Sequence, residues 1–236
     1  MVGEGDPPEL NRRVSVVGEG DPPELNRRVS DDVPVRDRRA APLVVTAVAY
    51  SLAHHLGSLP DGLGPAGRGT RVADWLDLLV PFVVLLPALG ALMSVGASRA
   101  TYLWFAVGSW LYATGHGVHL SANSIGNADP SPTAHLWDEQ IGHWVWFAGV
   151  AVIAATLAAT LVERPVPRHA LAWLLAVAVG VTWGTNATGG EFTWAGVALA
   201  VLAAAWGWRH RHDGGALMTT VGAAGVVAVV VSAIVR

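Results

Sequence analysis

The sequence of 236 residues contains no cysteine and no lysine, and all fifteen of its basic residues are arginines. Without cysteine the chain has no disulfide, no thiolate-bound zinc, no iron–sulfur cluster and no thiol nucleophile. Without lysine it cannot form a Schiff base, which excludes a retinal protein. Charged residues are scarce, at 14% against roughly 25% in soluble domains, while 52% of residues are hydrophobic. The sequence therefore predicts a protein that lies in a membrane.

The few charges are concentrated at the N-terminus, where residues 1–40 hold seven of the fifteen arginines and nine of the eighteen acids. This tail contains an exact tandem repeat, in which residues 2–15 recur as residues 17–30. Its proline, glycine and charged residues cannot bury enough apolar surface to offset chain entropy, so we predict that residues 1–40 are disordered. The net charge is −3, and no basic run outside the tail offers nucleic acid a binding surface.

Residues 41–236 consist of apolar stretches of the length that crosses a bilayer, about 20 residues. These stretches are predicted to be helices, because backbone polar groups in lipid must be paired within the segment. We therefore expect an all-α, polytopic membrane bundle of about seven transmembrane helices. The predicted spans are 41–59, 74–95, 101–121, 138–162, 169–187, 192–208 and 215–235.

The arginines predict the orientation of this bundle, because most of them lie before the first span or in alternate connections between spans. Connections rich in arginine usually face the cytoplasm. The eight that agree are Arg36, Arg38, Arg39, Arg99, Arg164, Arg168, Arg209 and Arg211, and the three exceptions are Arg68, Arg71 and Arg236. This pattern places the N-terminus in the cytoplasm. A composition rich in alanine, glycine, valine and arginine, without lysine, is typical of a high-GC bacterium, so we expect a bacterial plasma membrane.

Histidines and carboxylates gather near one end of the predicted spans, which this orientation places in the outer leaflet. His116 and His119 are three residues apart in the third span, and Glu139 and His143 are four apart in the fourth, so each pair shares a helix face. His54 and His55 lie near the outer end of the first span. Ionisable groups inside a membrane are costly and usually have a specific role. We predict that the histidines of these three spans face one another.

Imidazole and carboxylate groups in this pattern favour a divalent metal, zinc or iron, in a site that holds one or two ions. The predicted metal ligands are His54, His55, His116, His119, Glu139 and His143. The predicted catalytic residues are Asp138, Glu139 and Asn123. Asp138 is placed to act as a base toward an attacking water, and Asn123 to orient a ligand or to stabilise an oxyanion.

The pattern indicates a membrane-embedded, metal-dependent enzyme that acts on a membrane lipid or another hydrophobic small molecule. One metal with an open position would suit hydrolysis, whereas two irons would suit oxidation or hydroxylation of carbon. Two other classes of function stay open. A transition-metal or proton transporter would require polar groups that continue toward the inner side, and a non-catalytic membrane assembly protein would hold no metal.

Overall fold

The computed structural model describes residues 40–189 and 192–235. This part of the chain is mostly helical, with short connecting turns, one short β-hairpin and two 3-10 helices, Leu56–Ser58 and Pro60–Leu63. Of the tail predicted to be disordered, residues 1–39 lie outside the described residues. The α-helices are α1 (Ala41–Ala53), α2 (Val72–Asp77), α3 (Val80–Ser94), α4 (Arg99–Ala128), α5 (Pro132–His135), α6 (His143–Leu161), α7 (Ala170–Gly189), α8 (Thr193–Arg209) and α9 (Ala216–Val235). A π-helix, Leu136–Gly142, joins α5 to α6.

Four helical segments are long and apolar enough to cross a membrane, as expected of an integral membrane protein. They are Val72–Ser94, Pro132–Leu161, Ala170–Thr188 and Ala216–Val235. Helices α1 and α8 have 13 and 17 residues and are shorter than a usual span, while the 30-residue α4 carries more polar side chains. The predicted all-helical membrane fold is thus confirmed in outline. The count of seven crossings and the cytoplasmic N-terminus stay predictions.

The helices pack mainly against near neighbours along the chain. Helix α4 packs along α6, α9 packs on both α7 and α8, and α1 packs on α3 and α7. At one end of the bundle, which we call the arginine end, the backbone N–H of Gly214 donates to the carbonyl oxygen of Arg164 at 2.6 Å. This contact ties the connection after α6 to the connection before α9.

The opposite end, which we call the hairpin end, carries strands β1 (Pro65–Gly67) and β2 (Thr70–Arg71). The turn between the strands contains Gly69 at φ +80°, and a Cβ there would lie 2.8 Å from the side chain of Ala128. The Arg71 guanidinium donates to the Asp74 carboxylate at 2.8 Å, and that carboxylate also accepts from the Arg71 backbone N–H at 2.8 Å. These contacts hold the hairpin beside the end of α4 and the start of α2.

Candidate metal centre

Helices α4 and α6 approach each other closely because glycines remove side chains from their interface. A Cβ atom on Gly115 would overlap the backbone nitrogen of Trp146. A Cβ atom on Gly142 would lie 2.8 Å from the backbone nitrogen of His119. Small residues of this kind let two helix backbones touch. The histidines on the facing sides of α4 and α6 are therefore brought together, and the ring centroids of His119 and His143 lie 4.3 Å apart.

The π-helix before α6 changes which residues lie on the same face of this helical segment. In an α-helix residues four apart lie one above the other, whereas a π-helix pairs residues five apart. Asp138 and His143 are five apart, and the Nδ1–H of His143 donates to the carbonyl oxygen of Asp138 at 2.9 Å. Such π-helical turns occur frequently at functional sites. This one places the carboxylate of Asp138 beside the imidazole of His119, across the helix interface.

Three side chains form a group that fits a metal ion: His119, Asp138 and His143. One donor atom from each can be chosen so that all three lie within 4.8 Å of one another. The side chains are 18%, 13% and 8% exposed, respectively, so the group is shielded without being sealed. Two imidazoles and one carboxylate are the ligands of catalytic zinc sites and of mononuclear iron(II) sites. In residues 40–189 and 192–235 this is the one group of three such ligands.

The hydrogen bonds of the group leave ligand atoms available. His119 Nδ1 and Asp138 Oδ1 lie 2.5 Å apart, so each is paired with the other, and neither has a further hydrogen bond among the described residues. A metal ion bound here would replace this direct contact and compensate the buried polar atoms for its loss. His143 donates through Nδ1 to a backbone carbonyl, so its Nε2 carries the lone pair that a metal needs. Metal-binding histidines commonly make this second hydrogen bond.

The donor atoms also have nearly the spacing that an ion requires. With bonds of about 2.0–2.1 Å, two ligands of a tetrahedral zinc ion lie about 3.3 Å apart. His119 Nδ1 and Asp138 Oδ1, at 2.5 Å, are closer than that value, and the three ligand atoms of the group lie within 4.8 Å of one another. Trp146 packs on both imidazoles, with ring centroids 5.7 Å from His119 and 5.5 Å from His143.

Two further histidines continue from this group into the bundle. His116 lies 6.3 Å from His119 and 6.3 Å from His54, measured between ring centroids. Its Nε2–H donates to the carbonyl oxygen of Asp77 at 2.9 Å, and one carboxylate oxygen of Asp77 lies 3.4 Å from the same nitrogen. His116 is only 1% exposed. His116 therefore lies next to His119 on the inner side of the centre and is not part of the three-ligand group.

Both ring nitrogens of His54 have protein partners. Its Nδ1–H donates to the carbonyl oxygen of Tyr50 at 2.9 Å, and its Nε2 accepts from the hydroxyl of Tyr112 at 2.8 Å. These bonds fix the tautomer and leave no lone pair for a metal. The row of imidazole rings from His143 through His119 and His116 thus ends at His54, which is hydrogen-bonded to Tyr50 and Tyr112.

Of the other predicted site residues, His55 and Asn123 lie apart from the three-ligand group, whereas Glu139 lies beside it. His55 lies beyond the end of α1 at Ala53, and its Nε2 contacts the hydroxyl of Thr182 on α7 at 3.3 Å. Glu139 stays close, with a carboxylate oxygen 3.7 Å from His143 Nδ1. Asn123 accepts a hydrogen bond from Asn127 at 3.2 Å on the exposed part of α4.

The Tyr112–His54 hydrogen bond gives a testable prediction about stability. We expect Tyr112→Phe to lower the free energy of unfolding by about 1–3 kcal/mol, because it leaves the buried Nε2 of His54 without a donor. The expected result is a lower denaturation midpoint in detergent, with the metal content unchanged. Tyr102→Phe on the same helix is the matched control. Equal midpoints for the two variants would contradict the assignment.

Two features of the centre were not foreseen from the sequence. Asp138 was predicted as a catalytic base, whereas its carboxylate lies among the candidate ligands. The histidines of α4 and α6 were predicted to face one another, but the contact of the two helix backbones at glycines was not predicted. The sequence does contain a pattern that indicates this contact. Gly108 and Gly115 are seven residues apart, as are Gly142 and Gly149, and this spacing places each pair on one helix face. No protein-family model, curated protein or solved structure matches this chain.

Proposed function

We propose that this protein is a membrane-embedded, metal-dependent hydrolase that acts on a lipid-like substrate. The observation that carries the proposal is the group His119, Asp138 and His143, in which one ligand atom from each side chain lies within 4.8 Å of the other two. Three ligands suit one ion with an open coordination position. A di-iron oxidase would need two sets of ligands with several carboxylates. One group of three, with one carboxylate, therefore favours a mononuclear centre over a di-iron centre, and a zinc ion in such a centre would support hydrolysis.

A divalent metal held by these side chains would polarise a substrate carbonyl and make water a nucleophile at neutral pH. The residues of the chain would do the rest. The carboxylate of Glu139 is 29% exposed beside His143, so it can take a proton from the attacking water and pass it to the leaving group. The water oxygen forms a bond to the carbonyl carbon, the ester or amide bond breaks, and the leaving oxygen or nitrogen receives the proton.

The surroundings of the centre support a substrate that comes from the membrane. Trp137 and Trp144, which flank the site residues along the chain, are 45% and 52% exposed on a bundle of apolar helices. Exposed tryptophans are typical of the boundary between headgroups and acyl chains. The ester and amide bonds of lipids lie at this depth. We propose that the centre lies in the outer leaflet of a bacterial plasma membrane, in a seven-helix bundle with a cytoplasmic N-terminus.

Elemental analysis of the protein purified in detergent tests this proposal. We expect about one zinc ion per chain in the wild type and less than about a tenth of that in His119→Ala with His143→Ala, because two of three ligands are lost. His169→Ala, at the exposed arginine end, is the control that should keep its metal. A freshly purified wild type without metal would refute the proposed centre. Stoichiometric iron would refute hydrolysis and favour oxidation.

A further inference from the structure

An apolar cavity of about 460 Å³ lies inside the bundle on the arginine side of Tyr50 and Tyr112. One wall is a run of small residues on α6, including Ala151, Ala154 and Ala158. The opposite wall comes from α7, α8 and α9, and includes Leu199 and Val221. The cavity is separate from the metal centre, because Tyr112 and His54 lie between them and Tyr112 is 1% exposed.

The chemistry of this cavity favours an apolar occupant. Its walls offer almost no polar partners, and water enters a cavity only where it finds several of these. The medium around membrane-spanning helices supplies one abundant apolar molecule, the acyl chain of a lipid.

The cavity has a mouth toward the membrane between α6 and α8. Ala155 and Ala159 on α6 and Leu202 on α8 line the cavity and are exposed. At the hairpin end the gap between α6 and α8 is closed by the contact between Phe147 and Phe192, whose ring centroids lie 4.6 Å apart. At the arginine end the gap is closed by the hydrogen bond between the backbone N–H of Gly214, which follows α8, and the carbonyl oxygen of Arg164, which follows α6. Between the two closures α6 runs about 20 Å, which exceeds the half-thickness of a hydrocarbon core of roughly 30 Å.

The charges beside the arginine end indicate which lipid enters. Residues 162–169 and 209–215 contain four arginines, Arg164, Arg168, Arg209 and Arg211, against two acids, Glu163 and Asp213. Trp206 and Met218, which line the cavity, lie on the helices next to these connections. Arginines at the membrane surface attract anionic headgroups. We propose that the cavity binds one acyl chain of an anionic phospholipid, which enters between α6 and α8 with its headgroup at the arginine end.

Native mass spectrometry of the full-length protein tests this site in mixed micelles that contain equal amounts of phosphatidylglycerol and phosphatidylcholine. We expect one bound phospholipid per chain, with a preference of about fivefold or more for phosphatidylglycerol. Ala155→Trp with Ala159→Trp fills the mouth and should lower the bound lipid by about fivefold or more. Ala148→Trp adds the same bulk at an exposed position of α6 outside the cavity, and should leave lipid binding unchanged.

A second measurement uses the wild type alone, in case the double variant does not fold. Phosphatidylglycerol with a photoactivatable diazirine in the middle of one acyl chain should label peptides from residues 150–161 and 199–206. Labelling elsewhere, equal binding of phosphatidylcholine, or a bound isoprenoid or sterol in place of a phospholipid would overturn the proposal. Metal content is measured on the same samples, so that failure of the lipid site and failure of the metal centre are distinguished.

Discussion

Asp138→Asn is expected to weaken metal binding by about 100-fold or more, whereas Glu139→Gln should weaken it by less than about threefold. The loss of a residue that merely orients a ligand already costs about 10–100-fold, so the loss of a ligand should cost at least as much. The π-helix makes the two residues unequal. It pairs Asp138 with His143 at a separation of five residues, and the carboxylate of Asp138 reaches His119.

Competition with a chromophoric zinc chelator measures both affinities on proteins purified in detergent. Asparagine and glutamine keep the shapes of the side chains and remove only the charge and one ligand oxygen, so packing is not the variable. Circular dichroism of each variant confirms that the helices are intact. Should Glu139→Gln lose its metal while Asp138→Asn keeps it, the segment would have α-helical pairing in solution, and the assignment of ligands would be wrong.

Gly115→Ala is expected to destabilise the protein by about 3 kcal/mol or more and to abolish metal binding. Its new methyl group would overlap the backbone nitrogen of Trp146, which cannot rotate away as the end of a side chain can. Overpacking of an interface costs typically about 1–3 kcal/mol, and a clash with backbone lies at the upper end. The helices α4 and α6 must separate to relieve it, which moves His119 away from His143.

Gly117→Ala is the matched control, on the same helix and with the same added methyl group. A Cβ atom at Gly117 meets nothing within 4 Å, so alanine there should be neutral or should stabilise the helix by up to about 1 kcal/mol. Unfolding midpoints and zinc content are measured for both variants. If Gly115→Ala kept its zinc and its midpoint, the close contact between the two helix backbones would not be what assembles the centre.

The positions of the helices could be predicted from the sequence because they follow from local apolar patterning. Every predicted span has helical structure, although the second span is divided into α2 and α3 and the fourth begins in the π-helix. The other differences lie at the ends. The first helix ends at Ala53, although the apolar pattern continues to residue 59, and α4 continues to Ala128, beyond its apolar part. Polar residues lengthen α4 without altering its period, so hydropathy alone could not place its end.

The candidate site could be predicted only to the level of its neighbourhood. His119 and His143 were predicted to come together, and they do, because alternating helices return their polar ends to one side of a bundle. The choice of Glu139 as the carboxylate ligand assumed a separation of four residues, which the π-helix replaces with five. The placement of His55 assumed that α1 continues past Ala53, and its end turns that ring toward Thr182.

The row of rings that starts at the metal centre stops at Tyr50 and Tyr112, and beyond these tyrosines lies the apolar cavity. The apolar walls of the cavity offer no acceptor to a proton that has reached His54. They also offer no ligands to replace the water molecules that a hydrated cation would have to lose. We therefore expect the arginine half of the bundle to conduct neither protons nor hydrated cations. This argues against a transporter and for chemistry that begins and ends on the same face of the membrane.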